Sequence, residues 1–195
     1  MKKIILTLLC LLMLPLLTAY RPGVDYMAIA IECAASGDTD GGRAAMEARD
    51  AKIDALGLDV VKVDYNDLVL LGKIMTLEAG NCPHDVCPLG VGEVVLNRTI
   101  SPEWNTPTIQ EVLERPGQYY YPSLAGRFER SLPSERCLTL ALRLLEGERN
   151  MEPSVIFQDN QVHGSGAHVS YLHDGHSRLY FSYSSRPKLY EDATT

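Results

Sequence analysis

The chain has 195 residues. Without an N-terminal leader roughly 175 would remain, enough for one domain with a sizeable core and a small appendage. Its net charge of −7, made two units more negative by loss of Lys2 and Lys3, and the absence of any basic run disfavour polyanionic partners. Nucleic-acid binding and loose adhesion to anionic polymers are therefore poor explanations, and recognition must come from a specific groove.

Residues 1–19 read as an export signal. Lys2 and Lys3 precede an apolar stretch from Ile4 to Leu17 interrupted only by Thr7, followed by the small residues Thr18 and Ala19. Pro15 and the shortness of the run argue for a peptide removed near Ala19, not a retained anchor. Cys10 has no small residues before it and does not suit a lipid attachment site. The expectation is a secreted protein with no stable membrane anchor.

Residues 20–65 are expected to form a helical hairpin and linker. Val24, Met27, Ala28 and Ile31 have helical spacing, Ser36 to Gly42 is a turn, and Ala44 to Leu56 is a second helix ended by Gly57. Such a hairpin has too little apolar area to fold alone and should pack on the main domain or act as a spacer. The apolar stretch Leu58 to Val63 then leads to Asn66 and Asp67, either of which can cap the next helix.

That helix carries the most informative residue. Counting back by threes and fours from Glu78 gives Met75, Ile74 and Leu71, so a carboxyl group shares the apolar stripe of a helix that ends at Gly80. A carboxyl among apolar neighbours tends to keep its proton near neutral pH, as a general acid must. The alternative is a solvated residue at a fraying helix end.

Cys33, Cys82, Cys87 and Cys137 would persist after export. Cys82 and Cys87 bracket a short Pro-His-Asp-Val loop and can close it, while Cys33 and Cys137 pair or remain buried thiols. A zinc site from Cys82, His84, Cys87 and one of His163, His168, His173 or His176 fits no common zinc pattern. No metal and no cofactor are assigned.

A second core helix is predicted over Leu89 to Thr99, where Gly90 and Gly92 permit close approach of another helix and Glu93 reads as a solvated side chain. After the loop from Ser101 to Pro107, Thr108 with Glu111 makes a capping box for a brief helix through Arg115. Pro116-Gly-Gln118 precedes Tyr119, Tyr120 and Tyr121. Ser134 or Pro133 opens a helix with the stripe Cys137, Leu138, Ala141, Leu144 and Leu145, closed by Gly147. The last third changes period: Val155 to Phe157, Ala167 to His173 and His176 to Tyr183 read as strands, the latter two joined at Asp174-Gly175. The fold class is α+β, mainly helical with a small C-terminal antiparallel sheet. No repeats or low-complexity segments occur.

The series Leu71-Gly-Lys-Ile-Met-Thr-Leu-Glu-Ala79, Val91-Gly-Glu-Val-Val-Leu-Asn-Arg98, Ser101-Pro102, Ile109-Gln-Glu-Val112, Pro116-Gly-Gln118-Tyr119 and Ser154-Val-Ile-Phe157 resembles, in order and spacing, the SleB-type cell wall hydrolases. That family includes spore-cortex-lytic enzymes. The resemblance covers about residues 66 to 181 and implies a lysozyme-like catalytic domain over 66–195. It also implies cleavage of peptidoglycan glycan strands, often as a lytic transglycosylase. Glu78 stands at the family's catalytic glutamate, and Asn97, Gln118 and Tyr119 match motif positions expected near the glycan. Arg98 is assigned to the fold, its guanidinium bracing a loop. The ending Gly175-His176 and Leu179-Tyr-Phe181 matches the family only loosely, and His176 is taken as a satisfied hairpin residue.

Conventional glycoside hydrolysis uses two carboxyl groups. Only Glu78 stands out, since Asp159 and Asp174 fall where turns favour aspartate. A lytic transglycosylase needs one, which protonates the bridging oxygen and then takes a proton from the sugar's C6 hydroxyl. Tyr119 to Tyr121 and Trp104 are candidate sugar-stacking groups. A muramidase or glucosaminidase, a non-catalytic peptidoglycan-binding relative and a zinc-dependent wall amidase remain alternatives.

Overall fold

The computed structural model of the protein describes residues 24–119, 122–173 and 175–194. Residues 1–23, which contain the expected export signal, and Tyr120, Tyr121, Asp174 and Thr195 lie outside the described residues. Among the described residues the helices are α1 (Tyr26–Ser36), α2 (Thr39–Leu56), α3 (Tyr65–Ala79), α4 (Val86–Thr99), α5 (Ile109–Glu114), α6 (Pro122–Arg130) and α7 (Glu135–Leu145). Strands β1 (Val155–Asp159), β2 (Ala167–Leu172) and β3 (Arg178–Tyr183) follow, then a 3-10 turn over Pro187–Thr194. The fold is α+β. None of the described helices is long and apolar enough to cross a membrane.

Helix α3 is central and packs against α2, α4, α5, α6 and α7. Its apolar positions recur every three or four residues, so Leu68, Leu71, Ile74 and Met75 are all at most 1% exposed. The cap is Asp64, whose Oδ1 accepts from the backbone N–H groups of Asn66 (2.8 Å) and Asp67 (3.1 Å). Helix α3 therefore begins at Tyr65, slightly before the expected caps Asn66 and Asp67, because the side chain that reaches the free N–H groups is the one immediately preceding the helix.

Helix α4 starts three residues earlier than its apolar pattern suggests, at Val86. Pro88 lies in its first turn, where a missing N–H costs nothing. A Cβ at Gly92 would stand 2.5 Å from Leu144 Cδ1 and 2.9 Å from Met75 Sδ, so α3 and α7 approach α4 as the glycine predicts. Gly90 instead makes room for the Phe181 ring of β3. Glu93 is 1% exposed, contrary to the solvated reading. Its carboxylate accepts from Asn150 N (2.9 Å), Asn150 Nδ2 (2.9 Å) and Met151 N (2.6 Å), which fastens the loop before β1 onto α4.

The capping box at Thr108 and Glu111 is complete. Ser134 caps α7 by accepting from Cys137 N. Ser134 N donates to Thr76 Oγ1 at 3.0 Å and ties that cap to α3. Helix α7 ends with Glu146 as its cap, and Gly147 follows with φ 108°.

The hairpin α1–α2 packs on α7 and α3. Ala30, Ala34, Ala45 and Met46 are buried in the same apolar cluster as Leu68 and Leu138. It is thus part of the core and not a spacer. Asp25 and Asp38 cap its two helices, and Gly37 (φ 83°) and Gly57 (φ 61°) end them in the left-handed conformation that glycine tolerates.

The sheet has the order β1-β3-β2, antiparallel throughout. Val155 pairs with Tyr183 and Phe157 with Ser182, so Ile156 is an extra, bulged residue of β1. Helix α4 lies against this strand. Asn97 Nδ2 donates to the carbonyls of Glu152 and Val155, both at 2.9 Å, and Arg98 Nε donates to that of Ile156 at 2.7 Å.

Candidate active site

The end of α3, the turn at Gly117 and the outer half of β1 enclose a cleft of about 500 Å³. Its walls include Glu78, Arg98, Gln118, Tyr119, Asp159 and His163. Glu78 enters it one residue before the end of α3. Its side chain is half-buried. Burial raises its pKa above the ordinary 4.5, while the Arg127 and Arg98 guanidinium groups pull it back down. The carboxyl group thus sits in the cleft with its proton favoured by desolvation and with two cations near enough to stabilise the anion once that proton leaves.

Gly117 has φ 78° and no atom close to where its side chain would be, so the glycine serves the turn's backbone conformation, not its packing. The turn, closed by Gln118 N donating to Arg115 O at 3.2 Å, delivers Gln118 and Tyr119 to the cleft. Gln118 is half-buried and lines the wall. Tyr119 is 7% exposed, and its hydroxyl has no partner of hydrogen-bonding geometry. Burial pushes that phenol up to about 12, with the Arg98 charge acting in the opposite direction, so it remains an O–H donor. A Tyr ring this buried forms the base of the cleft, not an open platform for a sugar face.

Asn97 does not line the cleft. It is 2% exposed and spends its amide N–H groups on the carbonyls of Glu152 and Val155, so its task is to hold the start of β1 on α4. This corrects the expectation of a glycan contact. Arg98 has the bracing role expected and a further one. Its guanidinium lies 4.1 Å from the Trp104 ring centroid and 5.1 Å from that of Tyr119, so one cation joins β1, the Trp104 loop and the Tyr119 turn. Trp104 also lies outside the cleft, covered by Arg98 and Arg115 and packed with Ile156 and Tyr190.

Asp159 and His163 are the cleft residues that sequence reasoning passed over. Asp159 ends β1, and its Oδ2 lies 2.7 Å from His163 Nε2. The His163 ring also packs against Phe157, with centroids 5.8 Å apart. The aspartate is therefore not a mere turn residue but a second carboxylate in the same cleft as Glu78. Its spacing of four from a histidine, just past a strand, was the available signal. Arg127, near Glu78 in the last turn of α6, was missed because that helix of nine residues was not expected from the sequence. His168 is bound through Nδ1 to Tyr183 Oη at 2.9 Å, and His176 is exposed.

Comparison of the chain with protein-family models, curated proteins and solved structures finds no match.

Proposed function

We propose that the protein is an exported enzyme of the SleB type that cleaves peptidoglycan glycan strands between N-acetylmuramic acid and N-acetylglucosamine, with Glu78 as general acid. The observation that carries this reading is the half-buried carboxyl of Glu78, its pKa raised by desolvation, in a polar cleft of about 500 Å³, a size suited to saccharide units. The resemblance of the surrounding motifs to wall hydrolases supplies the substrate class.

In the lytic transglycosylase form of the reaction, Glu78 gives its proton to the bridging oxygen as the bond from the muramic acid C1 to that oxygen breaks. The resulting carboxylate then takes the proton of the C6 hydroxyl, and O6 bonds to C1 to close a 1,6-anhydro ring. Arg98 and Arg127 favour the transient carboxylate, and Gln118 offers an amide to sugar hydroxyls. Replacing Glu78 by Gln should reduce muropeptide release from purified sacculi by about 10²–10⁴-fold, the range for loss of a positioned acid. Release undiminished by Glu78→Gln would sink the proposal. Binding to sacculi without any release by the native chain would instead identify a non-catalytic relative.

Asp159 favours one second reading. With two carboxyl groups in the cleft, water can replace the C6 hydroxyl as nucleophile and give hydrolysis. Mass spectrometry of the glycan ends separates the two: anhydro-muramic ends for transglycosylation, reducing ends for hydrolysis. Under transglycosylation Asp159→Asn retains most activity, whereas a hydrolase with Asp159 as base or nucleophile loses it.

A further inference from the structure

Away from the cleft, the loop after α3, the first turn of α4 and the tip of the β2–β3 hairpin bring three soft or borderline ligands together. Cys82 Sγ, Cys87 Sγ and an imidazole nitrogen of His173 all lie within 4.8 Å of one another. Both cysteines are 0% exposed and unpaired as thiols. The Nδ1 of His173 is buried without a hydrogen-bond partner. A ring with one buried nitrogen left without a partner and a nitrogen beside two thiols is an uncommon arrangement, because an orphaned polar atom costs free energy that a ligand recovers.

The geometry points to a zinc-binding site formed by Cys82, Cys87 and His173. A tetrahedral zinc with bonds of about 2.3 Å to sulfur and 2.0–2.1 Å to nitrogen sets its ligand atoms roughly 3.5–3.8 Å apart, so from separations of up to 4.8 Å the cluster needs to contract by at most about 1.3 Å. Two thiolates and an imidazole suit zinc better than the hard cations, which select oxygen. On binding, each thiol releases a proton to solvent and no redox step is involved. Three protein ligands leave one tetrahedral position for water.

The backbone around the ligands is already fixed. Arg136 Nη1 donates to the Cys82 carbonyl at 2.7 Å and its Nε to Asp85 Oδ1 at 2.8 Å, while Cys82 N donates to Ala79 O at 3.0 Å. On the other side, His173 N donates to Ser177 O at 2.8 Å and closes the hairpin. None of the three ligands lines the cleft, so the metal is a clamp and not a reaction centre. It would lock the hairpin onto the loop that begins just after Glu78. His84, within the same loop, is exposed and outside the cluster.

The test uses the full chain, reduced, stripped of metal with a chelator and titrated with zinc against a chromophoric competitor, then with cobalt(II). One zinc per chain is expected, with thiolate-to-cobalt charge-transfer absorption and a higher Tm in the zinc form. Affinity should fall at least tenfold in His173→Ala, vanish in the double variant Cys82→Ser, Cys87→Ser, and stay unchanged in His84→Ala. The cobalt spectrum of the native chain reports thiolate ligation even where a variant fails to fold. Failure to take up one equivalent, or uptake indifferent to His173→Ala in a folded variant, overturns the proposal. So does a Cys82–Cys87 disulfide in chain isolated without reductant, seen as the loss of two hydrogens in the intact mass.

Discussion

Glu78 is held between two influences of opposite sign. Burial favours its neutral form, and Arg98 and Arg127 favour its charged form, with burial the stronger. Because its folded pKa lies above the unfolded value, Glu78 stabilises the fold fully below that unfolded value, and this stability is lost as pH rises through the folded pKa. Glu78→Gln should therefore raise Tm at neutral pH, with the gain shrinking to nothing as pH falls below about 4. Thermal melts of both chains across pH check this, and a gain that grows toward acid pH would contradict it. Activity should fall on the alkaline side as the same group ionises. Asn97 poses the complementary case. Asn97→Ala removes the amide donor to the carbonyls of Glu152 and Val155 and should cost about 1–3 kcal/mol in chemical denaturation. In the fraction that remains folded, KM for sacculi should be unchanged, since the amide faces β1 and not the cleft.

The elements owe their limits to local chemistry that a sequence displays openly. Thr108 and Glu111 satisfy each other's backbone donors within four residues, and Ser134 accepts from Cys137 N at the start of α7, so these starts could be read directly. The α3 start was placed slightly late because three cap formers, Asp64, Asn66 and Asp67, stand close together. Only the geometry chooses among them. The outer ends of the hairpin strands, Ala167 and Tyr183, match the alternation that flanks Gly175, whereas β1 runs on to Asp159, two residues past its expected end, β3 starts at Arg178, and the bulge at Ile156 was not legible, since register depends on the partner strand. Helix α6 went unseen because it is only nine residues long and follows directly on the Gly117 turn and the tyrosines. Close helix packing gives a prediction at this scale: Gly92→Ala forces the side chains of Leu144 and Met75 aside and should destabilise by about 1–3 kcal/mol. Gly57→Ala meets no neighbour and costs only the strain of its left-handed backbone.

At the scale of the whole molecule, the hairpin α1–α2 and the remainder share one core. Met46 is 4% exposed there, and Met46→Ala should cost about 2–5 kcal/mol while leaving a single cooperative melt. Calorimetry showing two transitions, with only one moved, would mean the hairpin is a separate unit. The cleft is likewise a product of assembly, walled by residues from the end of α3, the Gly117 turn and β1. Period, caps and turn residues determined from sequence alone that this chain builds helices before a small sheet and that Glu78 rides an apolar stripe, because those signals act over a few residues. Packing alone decided that Asn97 is a strap, that Asp159 and His163 face the cleft, and that His173 meets Cys82 and Cys87. Such convergence depends on distant segments closing on one another, and a burial or a hydrogen bond exists only once both sides have arrived.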